Sequence, residues 1–147
     1  MTDHLALFRE LVALDHGLCV VNMLRTDGSV VAAVVNAGVM HHPTTGTEAI
    51  AFVARGLRKL EHLRADPRVT LVARVGWRWA AVEGATDIIG PDDPRPGFDE
   101  ERLRLLLREV FVAAGGTHDD WDTYDRTLAE QRSAAVFVNP LRSYPTA

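Results

Sequence analysis

Two runs rich in Val and Ala, Leu18–Leu24 and Ser29–Val35, flank Thr26-Asp27-Gly28. Asp-Gly between such runs is a strong hairpin signal, because glycine supplies the left-handed backbone that a tight reversal needs. A chain that starts this way is committed to antiparallel β structure. The second run continues through Asn36 towards His41, and Pro43–Gly46 makes another turn. A third strand is expected over Glu48–Ala54 and two more over Val69–Val75 and Trp79–Ile89, around Gly76. A last strand, Ser133–Val138, should stop at Pro140.

Helical periodicity fills the gaps. Thr2 to His16 repeats Leu5, Phe8, Leu11 and Val12 on one side, with Thr2 or Asp3 to cap it and Gly17 to end it. Leu57–Arg64 places Leu57, Leu60 and Leu63 on one side, and Asp66-Pro67 ends it. After a loop from Pro91 to Gly97, Phe98–Ala114 carries Asp99, Glu100 and Glu101 in its first turn and stops at Gly115-Gly116. A further helix, Asp119–Glu130, is expected to use Asp119 as its cap. Six strands with mostly short connections suggest a mainly β (α+β) fold, an antiparallel sheet closed into a small barrel with flanking helices.

The 147 residues fit a single domain, 1–147, able to bury about 70% of its unfolded surface. No apolar run approaches the roughly 18 residues of a membrane span. Asp3, Arg9 and Glu10 stand where a signal peptide would be apolar, so a cytoplasmic location is expected. The single cysteine, Cys19, cannot form an internal disulfide and reads as a small core residue. Twenty acidic against 16 basic residues, a net charge of −4, argue against a nucleic-acid binder.

Several chemistries lack their residues. There is no glycine-rich phosphate loop, no Gly-x-Ser-x-Gly, no Cys-x-x-Cys and no His-Glu-x-x-His. His41, His42 and His62 match no familiar metal spacing, and no metal is expected. No catalytic side chain is assigned.

Two segments stand out. In Arg55-Gly56-Leu57-Arg58-Lys59-Leu60-Glu61-His62, three cations fall at the start of a helix, the end where the dipole disfavours them. Lys59 is the only lysine in the chain. Cations beside free backbone N–H groups make an anion site suited to a phosphate, and His62 shares a face with Lys59. A solvated basic turn is the alternative. In Gly76-Trp77-Arg78-Trp79, a strand would point both indoles the same way, as a wall for a planar ring or as core or interface anchors. Trp121 and Tyr124 share a helix face and should pack on the barrel.

On these residues the chain resembles the split-barrel superfamily of pyridoxamine-5'-phosphate-oxidase-like flavoproteins. Within it, the chain is similar to the actinobacterial deazaflavin (coenzyme F-420)-dependent reductases. The markers are Lys59, then His62-Leu63-Arg64-Ala65-Asp66-Pro67-Arg68, then Gly76-Trp77-Arg78-Trp79, Glu83-Gly84, and the His118, Trp121 and Tyr124 segment. His62 stands where Asn is common. The resemblance implies a homodimer with two cofactor sites at its interface and a small-molecule substrate. It implies Lys59 on the cofactor phosphate with Arg55 or Arg58 beside it, and Asn36, Trp77 and Trp79 near the ring. It further implies an oxidoreductase whose coenzyme F-420 passes a hydride to a conjugated small molecule. An FMN-dependent oxidoreductase and a non-catalytic flavin- or haem-binding module of the same fold are the alternatives.

Overall fold

The structure is a computed structural model describing residues 4–145. The hairpin forms where Asp27-Gly28 places it: β1 (Leu18–Leu24) pairs antiparallel with β2 (Val30–His41), from Leu18 opposite Asn36 to Leu24 opposite Val30. Asp27 Oδ1 accepts from the Ser29 N–H at 2.9 Å, and Gly28 takes φ +86°. The remaining strands are β3 (Glu48–Ala54), β4 (Arg68–Val75), β5 (Arg78–Ile89) and β6 (Ala134–Tyr144). They close into an antiparallel barrel in the order β1-β2-β3-β6-β5-β4, with β4 returning to β1. Closure gives every strand a neighbour on each side, although β2 before Ala37 pairs with β1 alone and β6 beyond Val138 with β5 alone.

The inward alternation fills the barrel with Cys19, Val21, Met23, Ile50, Phe52, Leu71, Val82 and Val136, all buried. Helix α1 (His4–Leu14) leads into β1 and adds Phe8, Leu11 and Val12 to this core. Helix α2 (Leu57–Ala65) follows β3 and precedes β4, and adds Leu60 and Leu63. Because β4 starts beside the end of β1, the two helices stopper opposite ends of the barrel. Helices α3 (Glu100–Ala113) and α4 (Trp121–Glu130) cover the outside of β3 and β6. There Leu106, Leu107, Val110, Tyr124 and Leu128 bury Ala49, Ala51, Ala135 and Phe137. The approach of α3 to β2 is close: a Cβ on Gly38 would run into the Ala113 carbonyl. No described helix is long and apolar enough to cross a membrane.

Four expectations need correction. The last strand does not stop at Pro140. It runs on to Tyr144: Pro140 faces Gly84 at a register shift, and beyond Val138 β6 pairs with β5 alone, an irregular edge that tolerates proline. Helix α4 begins at Trp121 and is capped by Asp120, which accepts from the Thr123 N–H at 3.1 Å, while Asp119 is fully exposed. Phe98 precedes α3, since Asp99 turns aside to accept from the Arg102 N–H at 2.8 Å. Trp77 lies in the β4–β5 turn, outside any strand. The caps expected at Thr2 and Asp3 lie outside the described residues.

His42, adjacent in sequence to the exposed His41, is structural. Its Nδ1 accepts from the Thr44 N–H at 3.1 Å, so Nε2 carries the proton and donates to Asp87 Oδ2 at 2.7 Å. Arg95 pairs with the same carboxylate. This network ties the β2–β3 turn to β5 and the 91–97 loop. Cys19 is in the core, and burial pushes its thiol up to about 12, so it does not present a thiolate.

Candidate functional site

The site is built from the start of α2. Its N-cap is Gly56, in an extended conformation, with no side-chain cap. By contrast α3 and α4 each have an aspartate cap. The first-turn N–H groups of α2 are therefore left without a side-chain acceptor. A Cβ on Gly56 would meet nothing within 4 Å, so the backbone is open to an approaching ligand.

Arg55 and Arg58 are exposed around this terminus, and Lys59 and His62 are half-buried one turn apart. None of the three cations has a hydrogen bond or ion pair among the described residues. The rest of the basic side chains are engaged. Arg64 pairs with Asp93, Arg68 with Asp66, Arg104 and Arg108 with Asp125, and Arg132 with Asp92. Arg25, Arg74 and Arg126 bond to neutral oxygens. In a chain with more acids than bases, three unpaired cations at one uncapped helix start form a local positive field. The dipole adds to that field, so an anion bound here meets charge and N–H donors together.

Arg55 also faces α4. Burial pushes the Tyr124 hydroxyl up to about 12, and the Arg55 charge opposes that shift. Tyr124 donates to the Leu107 carbonyl at 3.1 Å, and its ring packs with those of Phe111, His118 and Trp121. The cluster packs against the outer core, as the spacing of Trp121 and Tyr124 predicts.

The aromatic pair sits elsewhere. Gly76, at φ +62°, and Trp77 form the β4–β5 turn, and Trp77 is 98% exposed. Trp79 lies on the outer face of β5, opposite Arg74, its ring edge-on to Tyr144 at 6.2 Å. Although they do not share a strand face, both indoles line one shallow hollow with Val72 and Arg74. Asn36 is on the same outer face, paired with Leu18 across the β1–β2 ladder. Its amide donates to the His16 carbonyl at 2.8 Å, so one donor already holds the turn into β1.

The chain thus brings together Arg55, Arg58, Lys59 and His62, and places Asn36, Trp77 and Trp79 on another surface. Helix α2 ends where β4 begins, whereas Trp77 follows the far end of β4. Eight strand residues separate the two ends, roughly 23 Å at the usual rise. Between them runs an apolar outer stripe, in which Val20 is flanked by Val34 on β2 and Val72 on β4. Val34 is 63% exposed. Sequence reasoning missed this stripe, because outward and inward valines look alike until the barrel closes. It also missed Tyr144 beside Trp79, having ended β6 at Val138.

No family model and no curated protein sequence matches the chain. Solved structures do. A pyridoxamine-5'-phosphate-oxidase-related, FMN-binding protein from Nostoc punctiforme is 13% identical, with a TM-score of 0.58, over 95% of this chain and 78% of that one. The fold is the split barrel. An F-420 reductase is 14% identical with a TM-score of 0.59, over 86% of this chain and 88% of its own. A haem storage protein from Vibrio cholerae is 9% identical with a TM-score of 0.59, over 92% and 89%. At these identities the likeness establishes the architecture.

Proposed function

We propose that this split barrel is an oxidoreductase that binds a phosphate-bearing flavin-type cofactor, coenzyme F-420 in the first instance, and reduces a conjugated small molecule. The observation that carries the reading is the unpaired trio Arg55, Arg58 and Lys59 around the uncapped start of α2. No hydrogen bond or ion pair among the described residues engages these charges, and a phosphate satisfies both them and the N–H groups. Lys59 and one or both arginines would hold the phosphate, with His62 beside Lys59. The bound deazaflavin supplies the hydride. The chain's own work is to bind, to orient and to exclude water.

The reading includes a homodimer. The ribityl phosphate chain of such a cofactor is far shorter than the β4 span that separates α2 from Trp77. One copy therefore cannot hold a phosphate on α2 and a ring against its own Trp77 and Trp79. Two copies packed through the Val20, Val34 and Val72 stripe would supply the cations from one subunit and the indoles from the other. An exposed apolar stripe rimmed by polar residues is the kind of surface that such packing removes from water.

FMN is the second reading, favoured by the same cation trio, which suits any phosphate, and by the FMN-binding neighbour of the same fold. Titrating the purified protein with coenzyme F-420 and with FMN, followed by tryptophan quenching, separates the two. Light scattering on the same sample reads the subunit count. Turnover of the reduced cofactor with an activated alkene distinguishes an enzyme from a storage module. Failure of both cofactors to bind at high micromolar concentration would remove the proposal.

A further inference from the structure

A cavity of about 520 Å³ opens between α3, α4, the 91–97 loop and the turn that leads from α4 into β6. It shares no residue with the α2 cations or the tryptophan hollow, and its volume lies in the range of small-molecule sites. Pro91, Pro94, Phe98, Leu103 and Leu128 give it an apolar wall. Ser133 also lines it. That residue is 1% exposed, and its hydroxyl has no hydrogen-bond partner among the described residues. A buried hydroxyl without a partner is costly, so such a group points to something that meets it. The Ser133 N–H is spent on the Leu128 carbonyl at 3.0 Å, which holds the residue in place.

The rim decides what kind of molecule fits. Arg104 is engaged by Asp125 at 3.0 Å, and Arg132 is ion-paired with Asp92. The Asp99 carboxylate is engaged by the Arg102 N–H. An anion entering here finds no free cation, in contrast to the α2 terminus, and would meet unpaired Glu100 at the edge. We infer that this cavity is a second binding site, taking an uncharged, mainly apolar small molecule whose one polar atom hydrogen-bonds the Ser133 hydroxyl. The site is independent of the cofactor reading, so either can fail without the other.

Nile red tests it: the dye is uncharged, largely apolar, and carries one ring carbonyl able to accept from a serine. The expected result is saturable fluorescence enhancement with one dye per chain. Ala129 is an exposed residue of the cavity wall, and Ala129→Trp sets an indole across the space. It should weaken binding at least tenfold with the melting temperature kept. Should that variant fail to fold, Ala129→Arg blocks the same mouth from an exposed position. Ser133→Ala should weaken binding about three- to tenfold, the worth of one neutral hydrogen bond. Val112→Asp, at an exposed position of α3 that does not line the cavity, should leave it unchanged. Three results overturn the inference. One is the absence of saturable binding. Another is binding that survives the blocking variants at Ala129. The third is an unchanged affinity in Ser133→Ala, which would mean that a buried water serves the hydroxyl.

Discussion

Removing the Lys59 ammonium is the sharpest test of the phosphate site. Lys59 is half-buried, with no acidic partner among the described residues, so Lys59→Ala strands no carboxylate. Its effect on folding should stay within about 0.5 kcal/mol, a shift of the melting temperature of roughly 1–2 °C for a chain of this size. Its effect on a bound phosphate should be larger. A hydrogen bond to a charged group is worth ~1.5–3 kcal/mol, and each 1.4 kcal/mol is a factor of ten, so binding should weaken roughly ten- to a hundredfold. Partial exposure places the value towards the lower end, and added salt should shrink the wild-type advantage further. The comparison is Arg64→Ala on the same helix. Arg64 is already committed to Asp93, so its loss should leave affinity alone. The measurement is the dissociation constant for coenzyme F-420 and for FMN by tryptophan quenching, at two salt concentrations, with thermal unfolding alongside. Equal affinities for wild type and Lys59→Ala, at equal melting temperatures, would refute the reasoning.

Other outcomes follow from the packing. Asp87→Ala should cost about 1–3 kcal/mol at pH 7 by leaving the His42 Nε2–H unpaired, and thermal unfolding reads it. Burial raises the Asp87 pKa, but the hydrogen bonds from Arg95 and His42 outweigh it and hold the carboxyl below its usual value. Its contribution is therefore present above the ordinary carboxylate pKa and lost as pH falls through the lowered one, so wild type and Asp87→Ala should converge in acid. Gly38→Ala should destabilise by about 1–3 kcal/mol, because its Cβ would collide with the Ala113 carbonyl and push α3 off the barrel; denaturant melts check this. Val34→Asp should turn a dimer into a monomer by light scattering, and a wild type that is monomeric at micromolar concentration would sink the dimer. Cys19 should resist a thiol reagent until the protein unfolds, since its thiol is buried with a pKa near 12.

The sequence by itself determined the elements and their order. Asp27-Gly28 located the first hairpin, and Leu57, Leu60 and Leu63 marked α2. Cys19 read as core, and the six strands with short connections implied a closed barrel. These features rest on local periodicity and turn chemistry, which neighbours in the chain encode directly. The cations before and within α2 were legible for the same reason, because a helix start and its charges are adjacent in sequence. What the tertiary structure decided depends on contacts between distant residues. Only pairing with Gly84 shows that Pro140 can sit inside β6. Only the reach to Asp87 shows that His42 braces the fold. The β4–β5 ladder shortened the strand reading of Gly76-Trp77 into a turn, and barrel closure set the indoles at the far end from Lys59. Which charges remain unpaired is likewise a property of the folded chain. Arg64 and Lys59 lie on one helix, yet only the former meets an acid, because Asp93 comes from a loop 29 residues away. Distances of that kind are set when non-local strands pair, and no local pattern carries them.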